Sequence, residues 1–166
     1  MDARRILRHL AFPELRVRRA FPPQTLAAIE RAIHECEASH LGEIRFVVEG
    51  AIHPMPLLRG VTPRERARQV FSDLRVWDTE KNTGVLVYLL LADRHIEIVA
   101  DRGIHARVGD DGWLAICRDM EAALRAGRVT EGVVTGIRAI GALLTEHFPS
   151  AGEPNPNELP DRPVLV

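Results

Sequence analysis

From residue 23 to 39, Leu26, Ile29, Ile33 and Cys36 recur at helical spacing, which predicts a helix with one buried stripe. Pro22 and Pro23 open it, and Gly42 supplies a stop. Ile44, Phe46 and Val48 then alternate with Arg45 and Glu49, the pattern of a strand over 44–49. Pro54 and Pro56 make 50–60 a loop. Thr62, Pro63 and Glu65 form a capping box, and Ala67, Val70, Phe71 and Leu74 continue it as a second amphipathic helix. Residues 77–84 are polar and rich in turn formers.

The run 85–91 is continuously apolar and β-prone, with no Gly or Pro inside it. A strand of that kind lies in the middle of a sheet covered on both faces. Asp93 and Arg94 reverse the chain, and Ile96, Ile98 and Ala100 alternate along an antiparallel return strand. A third helix is predicted over about 110–126, with Trp113, Ile116, Cys117, Met120 and Leu124 as its stripe. Asp110 or Asp111 caps it, and Gly127 ends it. A fourth helix over about 130–147 carries Val133, Ile137, Ile140 and Leu144, with Thr130 as its cap and Pro149 as its stop.

The order is therefore α-β-α-β-β-α-α. A strand that reaches the next through a helix is parallel to it with a right-handed crossover. The fold class is α/β, a three-layer α/β/α sandwich with a small mixed β-sheet flanked by helices. Residues 1–21 form a basic N-terminal arm, 22–148 the α/β domain, and 149–166 a Pro-rich C-terminal tail. The tail has no period and is read as irregular, with Val164, Leu165 and Val166 able to dock.

Composition narrows the partners. The 166 residues are 46% hydrophobic and 27% charged, enough apolar material for one domain with its own core. A net charge of −1 provides no global field to recruit nucleic acid, so no nucleic-acid partner is expected. Cys36 and Cys117 sit in apolar helical patterns and read as reduced core thiols. No apolar run approaches the roughly 18 residues of a membrane span. Residues 1–20 hold no apolar signal core either, so a cytoplasmic location is expected. That segment sets Arg4, Arg5, Arg8, Arg16, Arg18 and Arg19 against Asp2 and Glu14, with Ile6, Leu7, Leu10 and Phe12 between them. It is either a peripheral membrane-surface or partner-binding arm, or a solvated extension packed on the domain.

Motif chemistry is sparse. There is no glycine-rich phosphate loop, no dinucleotide fingerprint, no serine elbow around Ser39, Ser72 or Ser150, and no zinc-like Cys/His spacing. No nucleotide or organic cofactor is expected. The predicted topology instead gathers Glu43, Asp78, Asn82 and Asp101 at one edge of the sheet, with Asp110 opening the next helix. Oxygen ligands of this kind suit calcium or magnesium. The alternative is that they cap helices and solvate loops. The opposite edge holds Glu49, His53, Asp93 and His95, at the carboxyl ends of the parallel strands where open α/β sheets bind ligands.

In order and spacing, Thr62-Pro63, Lys81-Asn82-Thr83-Gly84, Val85-Leu86-Val87, Asp93-Arg94, Gly103-Ile104, Asp110 and the 127–132 link resemble the TPM domain family over about 22–148. Two positions depart from the pattern. Thr83 replaces the second Asn of an Asn-Asn-Gly, and His105 stands where an acidic residue is common. The resemblance implies an α/β/α sandwich, divalent-cation binding and a weak acid phosphatase activity. It carries metal binding onto Asn82 and Asp110, whereas Glu43, Asp78 and Asp101 rest on the edge argument.

Three functions follow as expectations. One is a non-catalytic, cation-binding accessory module for assembly or repair of a membrane-associated partner. Another is a metal-assisted phosphatase in which Arg102, next to Asp101, holds the phosphate. The last is a metal-free interaction domain.

Overall fold

The computed structural model describes residues 3–152 and 155–166. Met1 and Asp2 of the arm, and Glu153 and Pro154 of the tail, lie outside the described residues. Four strands form one mixed sheet in the order β3-β2-β1-β4: β1 (Glu43–Glu49), β2 (Gly84–Leu90), β3 (His95–Ala100) and β4 (Val164–Leu165). β1 and β2 are parallel, from Glu43 opposite Gly84 to Glu49 opposite Leu90. β3 returns antiparallel, with Val85 opposite Ala100. The tail is not wholly irregular, because β4 adds a parallel strand beside β1.

Every residue of β2 is buried, as expected for a central strand covered on both faces. Ile44, Phe46, Val48, Val85, Val87 and Leu89 point to one face and pack with α3 (Pro23–Glu37), α6 (Arg102–Arg125) and α7 (Val129–His147). The α7 stripe of Val133, Ile137, Ile140 and Leu144 is fully buried there. Val47, Leu86, Tyr88 and Leu90 point to the other face, against Leu57 of α4 (Pro54–Leu58), Ala67 and Val70 of α5 (Pro63–Asp73), and Leu159 of the tail. Glycine-poor, β-branched strands fit this two-sided environment.

Local chemistry explains several boundaries. α5 starts on the expected capping box: Thr62 Oγ1 accepts from Glu65 N–H, and the Glu65 carboxylate accepts from Thr62 N–H at 2.8 Å. Such a cap is worth about 1 kcal/mol. The stretch 50–60 is not all loop. Pro54 occupies the first position of the short α4, where its missing N–H costs nothing. The third helix begins earlier than expected. Asp101, not Asp110 or Asp111, is its N-cap, and the chain breaks once at Gly109 (φ 74°, ψ 171°) before continuing. Only glycine adopts that conformation without strain. Thr130 does not cap α7; its hydroxyl pairs with Thr25 Oγ1 at 2.7 Å, and Arg128 takes the cap position.

Residues 3–20 contain α1 (Ala3–Leu10) and α2 (Leu15–Ala20), separated at Pro13. Val17 and Phe21 are buried in the main core, where the Phe21 and Phe46 rings lie 6.1 Å apart.

Candidate functional site

The two ends of the sheet hold the charged side chains singled out by the sequence, and each end is built differently. At the amino ends of β1 and β2, Glu43 is fully buried. Its Oε2 accepts from Leu159 N–H at 2.9 Å, so it fastens the tail across the sheet. Burial raises its pKa, against the lowering effect of the Leu159 and Asn155 hydrogen bonds. Asp101 is tied to the same corner by its own N–H, which donates to Gly84 O at 2.9 Å. One Asp101 oxygen accepts from Arg102 N–H at 2.7 Å; the other is buried with no hydrogen-bond partner among the described residues. Asp78 and Asn82 are exposed on the 77–83 loop. Asp110 lies elsewhere, exposed, 3.6 Å from His105 Nε2 and lining a cleft with Arg64 and Glu97. Among the described residues, no three His, Cys, Asp or Glu side chains are grouped to hold a metal ion.

The carboxyl-end residues do not form one site. Glu49, Asp93 and His95 each have their own partners. Glu49 is buried and accepts from Arg66 Nε and from Tyr88 OH, both at 2.8 Å. Asp93 accepts from Arg5 Nε at 2.8 Å and from Arg8. His9 Nδ1 accepts from Ile52 N–H at 3.0 Å, which leaves the proton on Nε2, 3.0 Å from Asp93 Oδ1. Burial alone would raise the Asp93 pKa, but Arg5, His9 and Arg8 outweigh it and hold the carboxyl below the usual range. His95 is clamped between Glu97 (2.9 Å) and Glu121 (2.8 Å), and the Glu97 hydrogen bond leads the rise in its pKa. His53 is exposed at the start of α4 and makes no side-chain cap bond.

Nucleophile candidates are equally quiet. Cys36 and Cys117 are free thiols, each pushed up to about 12, chiefly by burial, so neither is a thiolate at neutral pH.

A feature that the sequence reading did not assemble lies beside α2. Phe12, Leu91, Leu124 and Val129 floor a cleft of about 280 Å³ whose mouth carries Arg16, Arg19 and Arg94. The Arg16-Arg19 helical spacing was the available signal. Arg94, distant in sequence, completes the group from the β2–β3 turn.

Comparison with known proteins places the fold. The TPM domain matches residues 18–143. The chain belongs to the TPM domain family. This TPM chain also resembles the NMR structure of the BA42 protein from the psychrophilic bacterium Bizionia argentinensis. The two are 29% identical, with a TM-score of 0.76, over 86% of this chain and 93% of that one. No curated protein matches it. Much of the motif set that carries the TPM resemblance occupies structural positions: the Thr62 capping box, Gly84 at the start of β2, and the Asp93-Arg94 turn. No helix among the described residues is long and apolar enough to cross a membrane.

Proposed function

We propose that this TPM domain is a non-catalytic accessory module that attaches to an anionic membrane surface through α1 and α2 and assists a membrane-associated partner there. The observation that carries this reading is the outer surface of those helices. Leu7, Leu10 and Leu15 are 65%, 57% and 74% exposed, beside the exposed Arg16, Arg18 and Arg19. Exposed leucines flanked by arginines match the chemistry of a bilayer interface. Each basic residue close to an anionic surface adds about 1 kcal/mol. The non-catalytic part rests on Glu49, Asp93 and His95, each of which holds structural elements together.

Sedimentation with vesicles tests it. The protein is expected to bind phosphatidylcholine vesicles containing phosphatidylglycerol, not phosphatidylcholine alone, and to release at high salt as the charges are screened. Replacing Leu7, Leu10 and Leu15 together with serine is expected to weaken binding about tenfold or more. Equal binding of wild type and variant, or none at low salt, sinks the reading.

A second reading adds a divalent cation, calcium or magnesium, at the Asp101 corner. The buried, unpartnered Asp101 oxygen favours it. Glu43 brings a further buried and unpartnered oxygen, whereas Asp78, Asn82 and Asp110 would have to move toward the ion. Titration of the metal-stripped protein is expected to shift amides at 82–84 and 101–105, and Asp101→Asn to remove the shifts. No shift at millimolar ion removes the cation and leaves the membrane reading intact.

A further inference from the structure

We propose that the cleft beside α2 binds an acid-headed amphiphile, a single phosphate or carboxylate joined to a short alkyl segment. There, uncompensated charge from the arm meets an apolar floor. Arg5 and Arg8 are spent on Asp93, and Arg18 faces Glu14 at 3.4 Å. By contrast, Arg16, Arg19 and Arg94 pair with no carboxylate among the described residues, although the chain as a whole carries −1. Three guanidiniums at one mouth present the planar donors that phosphate and carboxylate oxygens take up.

They come from two elements, α2 and the β2–β3 turn. The Arg16 guanidinium lies 5.8 Å from the centroid of the Phe12 ring. Arg94 is held in the left-handed region (φ 51°) by the turn, whose Arg94 N–H donates to Leu91 O at 3.1 Å. Arg19 sits one helical turn from Arg16 on α2. Beneath them the half-buried Phe12, Leu91, Leu124 and Val129 leave about 280 Å³, near the lower end of ligand pockets. That volume has room for a short alkyl segment against the apolar floor. A second hollow, lined by Leu15 and Arg18, shares Arg16 and Arg19 with the first. The cleft therefore opens beside the exposed leucine that faces a bilayer in the membrane reading. A bilayer lipid as the source of the ligand rests on that reading; a free amphiphilic acid does not.

The probe is octyl phosphate below its micellar concentration, titrated into the isotope-labelled full chain, with octyl glucoside as a neutral control of the same tail. Saturable amide shifts are expected at 12–20, 91–94, 124 and 129 with octyl phosphate alone. Arg19→Gln and Arg94→Asn are each expected to weaken binding about tenfold, with amides remote from the cleft unchanged. Arg16→Gln provides the same test should the turn respond to Arg94→Asn. Absence of saturable binding at millimolar probe, equal binding of octyl glucoside, or full affinity in the variants overturns the proposal. Vesicle binding without octyl phosphate binding overturns the cleft and leaves the membrane reading standing. Octyl phosphate binding without vesicle binding upholds the cleft with a free acid as its ligand.

Discussion

The Gly84→Ala protein is expected to lose at least about 4 kcal/mol of folding stability, a large share of the roughly 5–15 kcal/mol that holds a domain together. The reason is space rather than backbone conformation. A β-carbon at Gly84 would stand 1.8 Å from the carbonyl oxygen of Val76 and 2.9 Å from its carbonyl carbon. Both atoms are backbone, so no rotamer change relieves the overlap. Neither side has room to retreat. Val76 is fully buried, and its N–H donates to Phe71 O at 3.0 Å. Gly84 opens β2 opposite Glu43, and its carbonyl receives Asp101 N–H. A shift of Gly84 would therefore disturb the starts of β1 and β2 and the end of β3 together. Urea denaturation and an amide spectrum read the outcome. A variant within about 1 kcal/mol of wild type would mean that the 76–84 segment relaxes far more easily than its packing implies.

The strands and helices of the domain were legible because their signals are local. Alternation in 44–49, the unbroken run at 85–91 and the Thr62 capping box each describe a few neighbouring residues, and β1, β2 and α5 follow them. The Asp93-Arg94 reversal likewise predicted the β2–β3 pairing. What escaped depends on residues far apart. Arg5 reaches Asp93 across 88 positions, and Glu43 receives Leu159 N–H across 116. No periodicity encodes such partners. The third helix starts earlier than expected because Asp110 and Asp111 offer caps in sequence, whereas Asp101 is the cap used and helix lies on both sides of Gly109.

The acidic edge shows the same limit. Topology correctly put Glu43, Asn82 and Asp101 at one end of the sheet, since Glu43 pairs with Gly84 and Asp101 returns to it. It could not say which of them are wet. Glu43 lies on the sheet face that the tail covers, so it is buried while Asp78 and Asn82 stay in solvent. A carboxylate is costly to bury alone; only the tail, invisible to strand periodicity, explains how Glu43 is accommodated.

That buried corner governs the pH dependence of stability, and Glu37→Gln is the variant that isolates it. Glu37 is 5% exposed, and its Oε1 accepts from Ile44 N–H at 2.7 Å. Burial pushes its pKa up to about 9; the Ile44 hydrogen bond opposes this, and Glu43 and Asp161 add to it. The folded protein thus keeps the proton where the unfolded chain, with the ordinary value of 4.5, releases it. Its contribution is fully present below 4.5 and is lost as pH rises through about 9. One proton gives a slope of at most about 1.4 kcal/mol per pH unit, a total on the order of several kcal/mol. Buried His40 acts in the opposite sense on the acid side. Burial lowers it to about 4, so stability falls as pH drops from 6.5 toward that value. Comparing two proteins that share His40 and His95 cancels those groups. Glutamine keeps the oxygen that accepts from Ile44, supplies an N–H toward Asp161 and carries no titrating proton. Urea midpoints at pH 5, 7 and 9 are expected to fall progressively for wild type relative to Glu37→Gln, with the variant the more stable at pH 9. Parallel profiles from pH 5 to 9 would mean that Glu37 is already ionised in the fold, and that the corner joining α3, β1 and the tail admits more water than its burial indicates.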